Sequence, residues 1–167
     1  MYRLLNFRPA LLIVFLASAG LLGYAYYSQF VLYLDPCPLC ILQRVAFIIM
    51  GLVALVGAIH NPRGTGRWGY AVLILAGAVW GMVTAGRHLY IHHAAQAGEM
   101  VPSCGGGLGY MMEQNPLPEA LRMAFTGGGD CALVDWTFLG LAMPAWTLVW
   151  FLLLAGLTVW ATLRKPQ

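Results

Sequence analysis

Charge is what this chain has least of. Only 9% of its 167 residues are Asp, Glu, Lys or Arg, while 60% are hydrophobic; a soluble domain carries roughly a quarter charged residues. So few polar groups cannot cover a water-facing surface, which excludes an ordinary soluble globular fold and makes the bilayer the natural solvent. The net charge is +3, but the cations stand singly or in pairs. With no basic stripe and no nucleic-acid motif, no nucleic-acid partner is implied. Cysteine is scarce too: four residues, at positions 37, 40, 104 and 131. No βαβ pattern surrounds them, which excludes a soluble thioredoxin-type motif. Cysteine pairs persist as disulfides only outside the reducing cytosol, so topology decides what these four can do.

What the chain has in abundance is long apolar runs. Four stand out: Ala10 to Tyr27, Ile41 to Ile59, Trp68 to Gly86 and Pro144 to Leu163. Each is about 18 to 20 residues, enough for a helix to cross a hydrocarbon core of ~30 Å. The expected fold is an all-α membrane protein, a single four-helix bundle over residues 1–167. Arg44 is the one charge inside a run. Six of the nine basic residues flank one side: Arg3, Arg8, Arg63, Arg67, Arg164 and Lys165. All six acidic residues (Asp35, Glu99, Glu113, Glu119, Asp130, Asp135) fall on the other. The positive-inside rule then makes residues 1–9, 60–67 and 164–167 cytoplasmic, and loops 28–40 and 87–143 external. Ala17-Ser18-Ala19 resembles a signal-peptide cleavage site, but the apolar run continues past it to Tyr27, which suits a retained span better. All four cysteines land on the outer face, the periplasm in a bacterium.

The long outer loop holds two glycine triplets, Gly105-Gly106-Gly107 and Gly127-Gly128-Gly129, which leave the backbone free to move. Between them Leu117, Ala120, Leu121, Ala124 and Phe125 recur at helical spacing. They predict a short amphipathic helix, either on the membrane surface or packed on the bundle top. Cys104 precedes one triplet and Cys131 follows the other, so each sits beside a hinge. A static crosslink does not need mobile flanks; a disulfide that exchanges partners does.

Cys37-Pro38-Leu39-Cys40 is a Cys-x-x-Cys pair, a motif that often makes one thiol acidic. Cys40 stands at the start of the second span, where unpaired N–H groups and the helix dipole favour an anion. Arg44 follows one turn later on the same face, either as a fixed cation beside a Cys40 thiolate or as an arginine reaching for the interface. A structural zinc site would want closer spacing than that of Cys104 and Cys131. As a passive crosslink, Cys104 with Cys131 would close a loop of about 28 residues, a stabilisation of roughly 3 to 4 kcal/mol. A non-catalytic protein pinned by two static disulfides is therefore the main alternative. Two pairs on one face, one flexible and one at a helix start, suit electrons moving inward by thiol–disulfide exchange.

These residues resemble a known family over nearly the whole chain. Pro36-Cys37-Pro38-Leu39-Cys40 with Gln43-Arg44, Gly86-Arg87-His88-Leu89, Val101-Pro102-Ser103-Cys104, Gly129-Asp130-Cys131 and the run Trp136 to Trp146 are similar to the DsbB/DsbI-like disulfide bond formation proteins. The vitamin K epoxide reductase relatives place their inner pair late in the bundle and fit less well. The resemblance implies a bacterial inner-membrane protein-disulfide oxidoreductase with a DsbA-like thioredoxin-fold partner and a quinone acceptor, ubiquinone or menaquinone. It also implies the catalytic set Cys37, Cys40, Cys104 and Cys131. The partner would attack Cys104 of a Cys104–Cys131 disulfide; Cys131 would then attack Cys37 and release Cys40. Arg44 would stabilise charge at the quinone. His88, His92, His93 and Met143 are further candidates for quinone contact, with Pro144 and Trp146 as walls; no metal is expected. For the tryptophans the plain reading is an interfacial belt of Trp68, Trp136, Trp146 and Trp160.

Overall fold

The computed structural model describes residues 7–62, 64–98, 113, 115–126, 131, 137–138 and 140–164. The elements in chain order are α1 (Phe7–Phe30), α2 (Pro38–His60), α3 (Gly66–Gln96), α4 (Leu117–Thr126), β1 (Thr137–Phe138), β2 (Leu141–Ala142) and α5 (Met143–Leu163). Helices α1, α2, α3 and α5 are each long and apolar enough to cross a membrane. The protein is an all-α, four-span membrane protein, as its apolar runs predict. Large side chains such as Leu16, Leu52, Val72 and Leu152 face outward. That is the pattern of a helix whose surroundings are lipid rather than water.

α1 lies against α2 and α2 against α3, and α5 closes the bundle on α3 and α1. Leu11 and Val14 from α1, Met50 from α2, Ile74 from α3, and Phe151 and Leu154 from α5 form the buried core. Phe47 and Phe151 stack at 4.1 Å between centroids, tying α2 to α5. Gly81 makes room for that stack: a Cβ there would fall 2.2 Å from the Phe151 ring. Several buried hydroxyls are satisfied within their own helices, while Ser18 Oγ is buried with no hydrogen-bond partner. Thr84 donates to the Gly81 carbonyl at 2.9 Å and Thr158 to the Leu154 carbonyl at 2.8 Å. Lipid offers no alternative partner.

The helix ends differ from the apolar runs. Hydropathy predicts that the third span stops at Gly86, with a loop from Arg87, yet α3 runs on to Gln96. Hydropathy marks where lipid ends, not where the helix does, and no proline interrupts residues 87–96. The turn comes at Gly98, whose φ of 80° suits glycine. α2 starts at Pro38 rather than Ile41, with proline at a position that needs no N–H. It ends at Asn61, in the left-handed region, whose N–H reaches the Gly57 carbonyl at 2.9 Å. The expected amphipathic helix is present as α4. Ala124 is buried in a cluster with Cys37, Leu39, Ile91 and Cys131, and the Phe125 ring meets Trp80 edge-on at 5.1 Å. Glu119 and Arg122 are exposed. This helix packs on the bundle. β1 and β2 form a two-residue antiparallel pair that turns at Gly140, φ 77°, and delivers the chain into α5.

Candidate functional site

The site grows out of the first turn of α2. Cys37 is its N-cap, and its Sγ accepts from the Cys40 backbone N–H at 3.3 Å. The sulfur thus takes the place of a capping oxygen. Cys40, three residues on, falls back beside it, and the two sulfurs are 3.0 Å apart. Cys40 lies inside the first turn of α2, a little further along than the apolar run suggests. Cys131 is fully buried in the same cluster as Cys37. The Cys37 thiol is pushed far above the usual thiol range, first by its hydrogen bond to Cys131, then by Cys40 and by burial. Cys104 lies outside the described residues.

Across from the sulfurs stands His88 on α3, 3% exposed. Its Nε2 is 3.8 Å from Cys37 Sγ and its Nδ1 3.9 Å from Cys40 Sγ. The extension of α3 past Gly86 is what carries this ring to the mouth of α2. Cys37, Cys40 and His88 keep their ligand atoms within 4.8 Å of one another, a grouping that soft metals use. Here, however, one ring nitrogen faces each sulfur, an arrangement that suits two separate hydrogen bonds better than chelation.

Behind the sulfurs lies a cavity of about 420 Å³ among α1, α2, α3 and α5. Leu21, Leu22, Phe47, Trp146 and Trp150 give it apolar walls, and Met143 and Pro144 at the start of α5 close one side. Cys37, Cys40, Gln43, Arg44 and His88 supply polar groups. Arg44 is anchored to α1: it donates through Nη1 to Gln29 Oε1 and through Nη2 to the Ala25 carbonyl at 3.1 Å. Its guanidinium also lies 5.3 Å from the centre of the Tyr26 ring. Positive charge is therefore fixed at the C-terminal end of α1, where helix carbonyls attract it.

Of the other sequence candidates, Met143 lines the cavity. His92 and His93 sit one turn beyond His88, ring to ring at 5.8 Å, and are not among the lining residues. His93 is exposed, and His92 Nε2 lies 3.4 Å from Gln96 Nε2. Sequence reasoning missed Gln43, Thr147 and Gln29. Gln43 bridges three helices: its Oε1 accepts from Thr147 on α5 at 2.7 Å, and its Nε2 is 3.5 Å from His88 Nδ1. A glutamine among apolar neighbours was the available signal, because a polar group at that depth needs partners.

A dithiol in the wall of an apolar cavity, within a four-span bundle, defines a membrane thiol–disulfide redox protein. Comparison with known proteins supplies the family. The family model of the disulfide bond formation protein DsbB matches residues 7–161. Disulfide bond formation protein B of Hahella chejuensis is 46% identical over 160 residues, 96% of each chain. The protein of the same name from Xanthomonas campestris is 47% identical over 157 residues, 93% of this chain and 88% of the relative. That of Marinobacter nauticus is 45% identical over 153 residues, 92% and 90% of the two chains. The chain belongs to the DsbB family of disulfide bond formation proteins. It is a disulfide oxidoreductase and a multi-pass protein of the bacterial inner membrane.

Proposed function

We propose that this protein re-oxidises a periplasmic DsbA-like thiol oxidase and passes the two electrons to a membrane quinone. One observation carries the reading: the Cys37–Cys40 pair forms part of the wall of an apolar cavity, while Cys131 is buried against its outer member. Electrons delivered to Cys131 would thus have a sulfur neighbour on one side and a lipid-accessible chamber on the other.

The relay proceeds by thiol–disulfide exchange. The partner's thiolate attacks Cys104 of a Cys104–Cys131 disulfide, forming a mixed disulfide and freeing Cys131. The partner's second thiol resolves that mixed disulfide and leaves oxidised. Cys131 then attacks Cys37 of the Cys37–Cys40 disulfide, and Cys40 leaves as thiolate; Cys104 attacks Cys131 in turn, restoring the outer disulfide and leaving Cys37 and Cys40 both reduced. Each exchange needs a thiolate within reach of a sulfur. Burial of both Cys37 and Cys131 keeps competing thiols out. A DsbA-like partner is itself strongly oxidising, and a thiol buffer cannot regenerate it; the oxidising periplasm is known to depend on this very DsbA–DsbB–quinone system.

The cavity fits a quinone: its volume is that of an ordinary small-molecule site, its walls are apolar, and its few polar groups lie beside the sulfurs. When bound, a quinone supplies a two-electron, two-proton acceptor. Arg44, held by Gln29 and the Ala25 carbonyl, offers a fixed positive charge to the Cys40 thiolate and to negative charge arising in the chamber. His88 offers a ring nitrogen to either sulfur, and Met143 with Trp146 excludes water from one side. The reading places both termini in the cytoplasm. Arg67 and Arg164, hydrogen-bonded to each other at 2.8 Å through the Arg164 carbonyl, cluster at the end of the bundle away from the cysteines, which supports it.

The test is to follow the quinone's ultraviolet absorbance while reduced DsbA-like protein is added to the detergent-solubilised chain. Quinone should be consumed by the wild type and spared by Cys37→Ser and by Cys104→Ser. Absence of turnover in the wild type, or turnover that survives both substitutions, overturns the proposal.

A further inference from the structure

Hydrogen-bonding groups run in a line from α5 to the inner sulfur, and the sense of each link follows from the one before. Thr147 Oγ1 lies 2.7 Å from Gln43 Oε1 and 2.8 Å from the Pro144 carbonyl. A hydroxyl has one proton, so one of these contacts holds it at a time. Gln43 is 4% exposed, and its Nε2 lies 3.5 Å from His88 Nδ1. With Thr147 donating to Oε1, the amide NH2 faces the ring and Nδ1 is the acceptor. The neutral ring then carries its proton on Nε2, 3.8 Å from Cys37 Sγ. Cys37 in turn donates its S–H to Cys40 Sγ at 3.0 Å. Every donor in the chain points the same way.

The opposite sense is available and is chemically distinct. If Thr147 gave its proton to Pro144, the amide would turn over and Oε1 would accept from Nδ1–H. Nε2 would then face Cys37 as a bare lone pair. Two facts favour the first sense. Gln43 Nε2 stands nearer to His88 Nδ1, at 3.5 Å, than Cys40 Sγ does, at 3.9 Å, so the amide N–H rather than the sulfur is the partner of that nitrogen. The 2.7 Å contact from Thr147 also brings to Gln43 Oε1 a donor that a reversed amide would not need.

We infer that Thr147 and Gln43 are positioning residues that fix the tautomer of His88, so that a chain of donors starting on α5 ends on Cys40. This rests on the proposed function only in taking Cys40 as the inner electron donor. It adds a role for two residues that act on the sulfurs through the His88 ring, and it couples the α5 wall of the cavity to the reactivity of the dithiol.

The experiment is nitrogen-15 NMR of histidine-labelled, fully reduced protein in detergent, with site-resolved alkylation of Cys40 at one fixed pH read by peptide mass. The wild-type His88 ring is expected to be protonated at Nε2. Thr147→Val should move proton population to Nδ1 and slow Cys40 alkylation by roughly fivefold, the rate equivalent of about one hydrogen bond. Thr147→Ser should restore both. A wild-type ring protonated at Nδ1 overturns the inference, and so does a Thr147→Val protein with unchanged ring and rate. The ring signature needs neither quinone nor partner. A wild type that shows it yet spares quinone sinks the proposed function and leaves the chain of donors standing.

Discussion

Arg44 combines a long reach with a short tether. It springs from the second turn of α2, one turn beyond Cys40, and its guanidinium is held by Gln29 and the Ala25 carbonyl of α1. A planar fork offers a separate nitrogen to each of the two acceptors, whereas a lysine would have to serve both from one nitrogen. Arg44→Gln is therefore expected to raise the KM for quinone roughly tenfold, equivalent to about 1.4 kcal/mol of lost interaction, with Arg44→Lys in between. Steady-state titration with quinone checks this, and an unchanged KM in Arg44→Gln would contradict it. Cys37 makes a second prediction. Its pKa is raised, so less thiolate exists at any given pH than in a free cysteine, and alkylation near neutral pH should be slow. The rate should climb only once the pH passes the ordinary thiol range. The sign for stability is the same: the folded chain holds this proton more tightly than the unfolded one, so its contribution fades as the pH rises beyond that range. Rapid alkylation of Cys37 at neutral pH in the reduced protein would refute the shift. That Cys37, Cys40 and Arg44 would share one site was legible in the sequence because their types and spacing are unusual. Thr147 was not, because its type signals nothing until α2 and α5 are brought side by side, and Gln43 offered only the weaker signal of a polar residue in an apolar run.

The helices owe their spacing to a few small residues. Gly81 faces Phe151 so closely that any side chain must displace the ring stacked on Phe47. Gly81→Ala should destabilise the bundle by about 1 to 3 kcal/mol, the usual cost of overfilling a close-fitting core. Gly86, further along the same helix, has open space where a methyl group would stand, with nothing within 4 Å. Gly86→Ala should thus be neutral or slightly stabilising, since alanine is the better helix former. Denaturant midpoints in detergent compare the two; equal losses would contradict the assignment. Four spans were readable from hydropathy because lipid demands an unbroken apolar run. Their ends were not, since a helix can outrun its apolar stretch: α3 continues past Gly86 as far as Gln96, and only this extension shows how His88 is carried on a rigid helix to face Cys37 and Cys40. The existence of α4 was also readable, from its apolar spacing. Its seat on the bundle was not, because the Phe125–Trp80 contact joins residues far apart in the chain.

At the scale of the molecule, the polarity of the bundle organises everything else. The dithiol, Cys131 and His88 gather at one end, and the Arg67–Arg164 contact marks the other. A reporter fused after the fourth span should be active only in its cytoplasmic form, and a periplasmic signal from the same fusion would invert the proposed topology. The distribution of nine basic and six acidic residues predicts the orientation that this fusion tests; the cavity was not legible in the sequence, because its walls come from four separate helices. The central claim is that electrons enter at the outer pair and arrive at Cys40 through a transient link between Cys131 and Cys37. Mass-spectrometric mapping of the disulfides, before and after reduced DsbA-like protein is added without quinone, tests it most directly. The account predicts that a Cys37–Cys131 crosslink or a partner–Cys104 mixed disulfide appears while Cys40 becomes free; a map that does not change on adding the partner would contradict it.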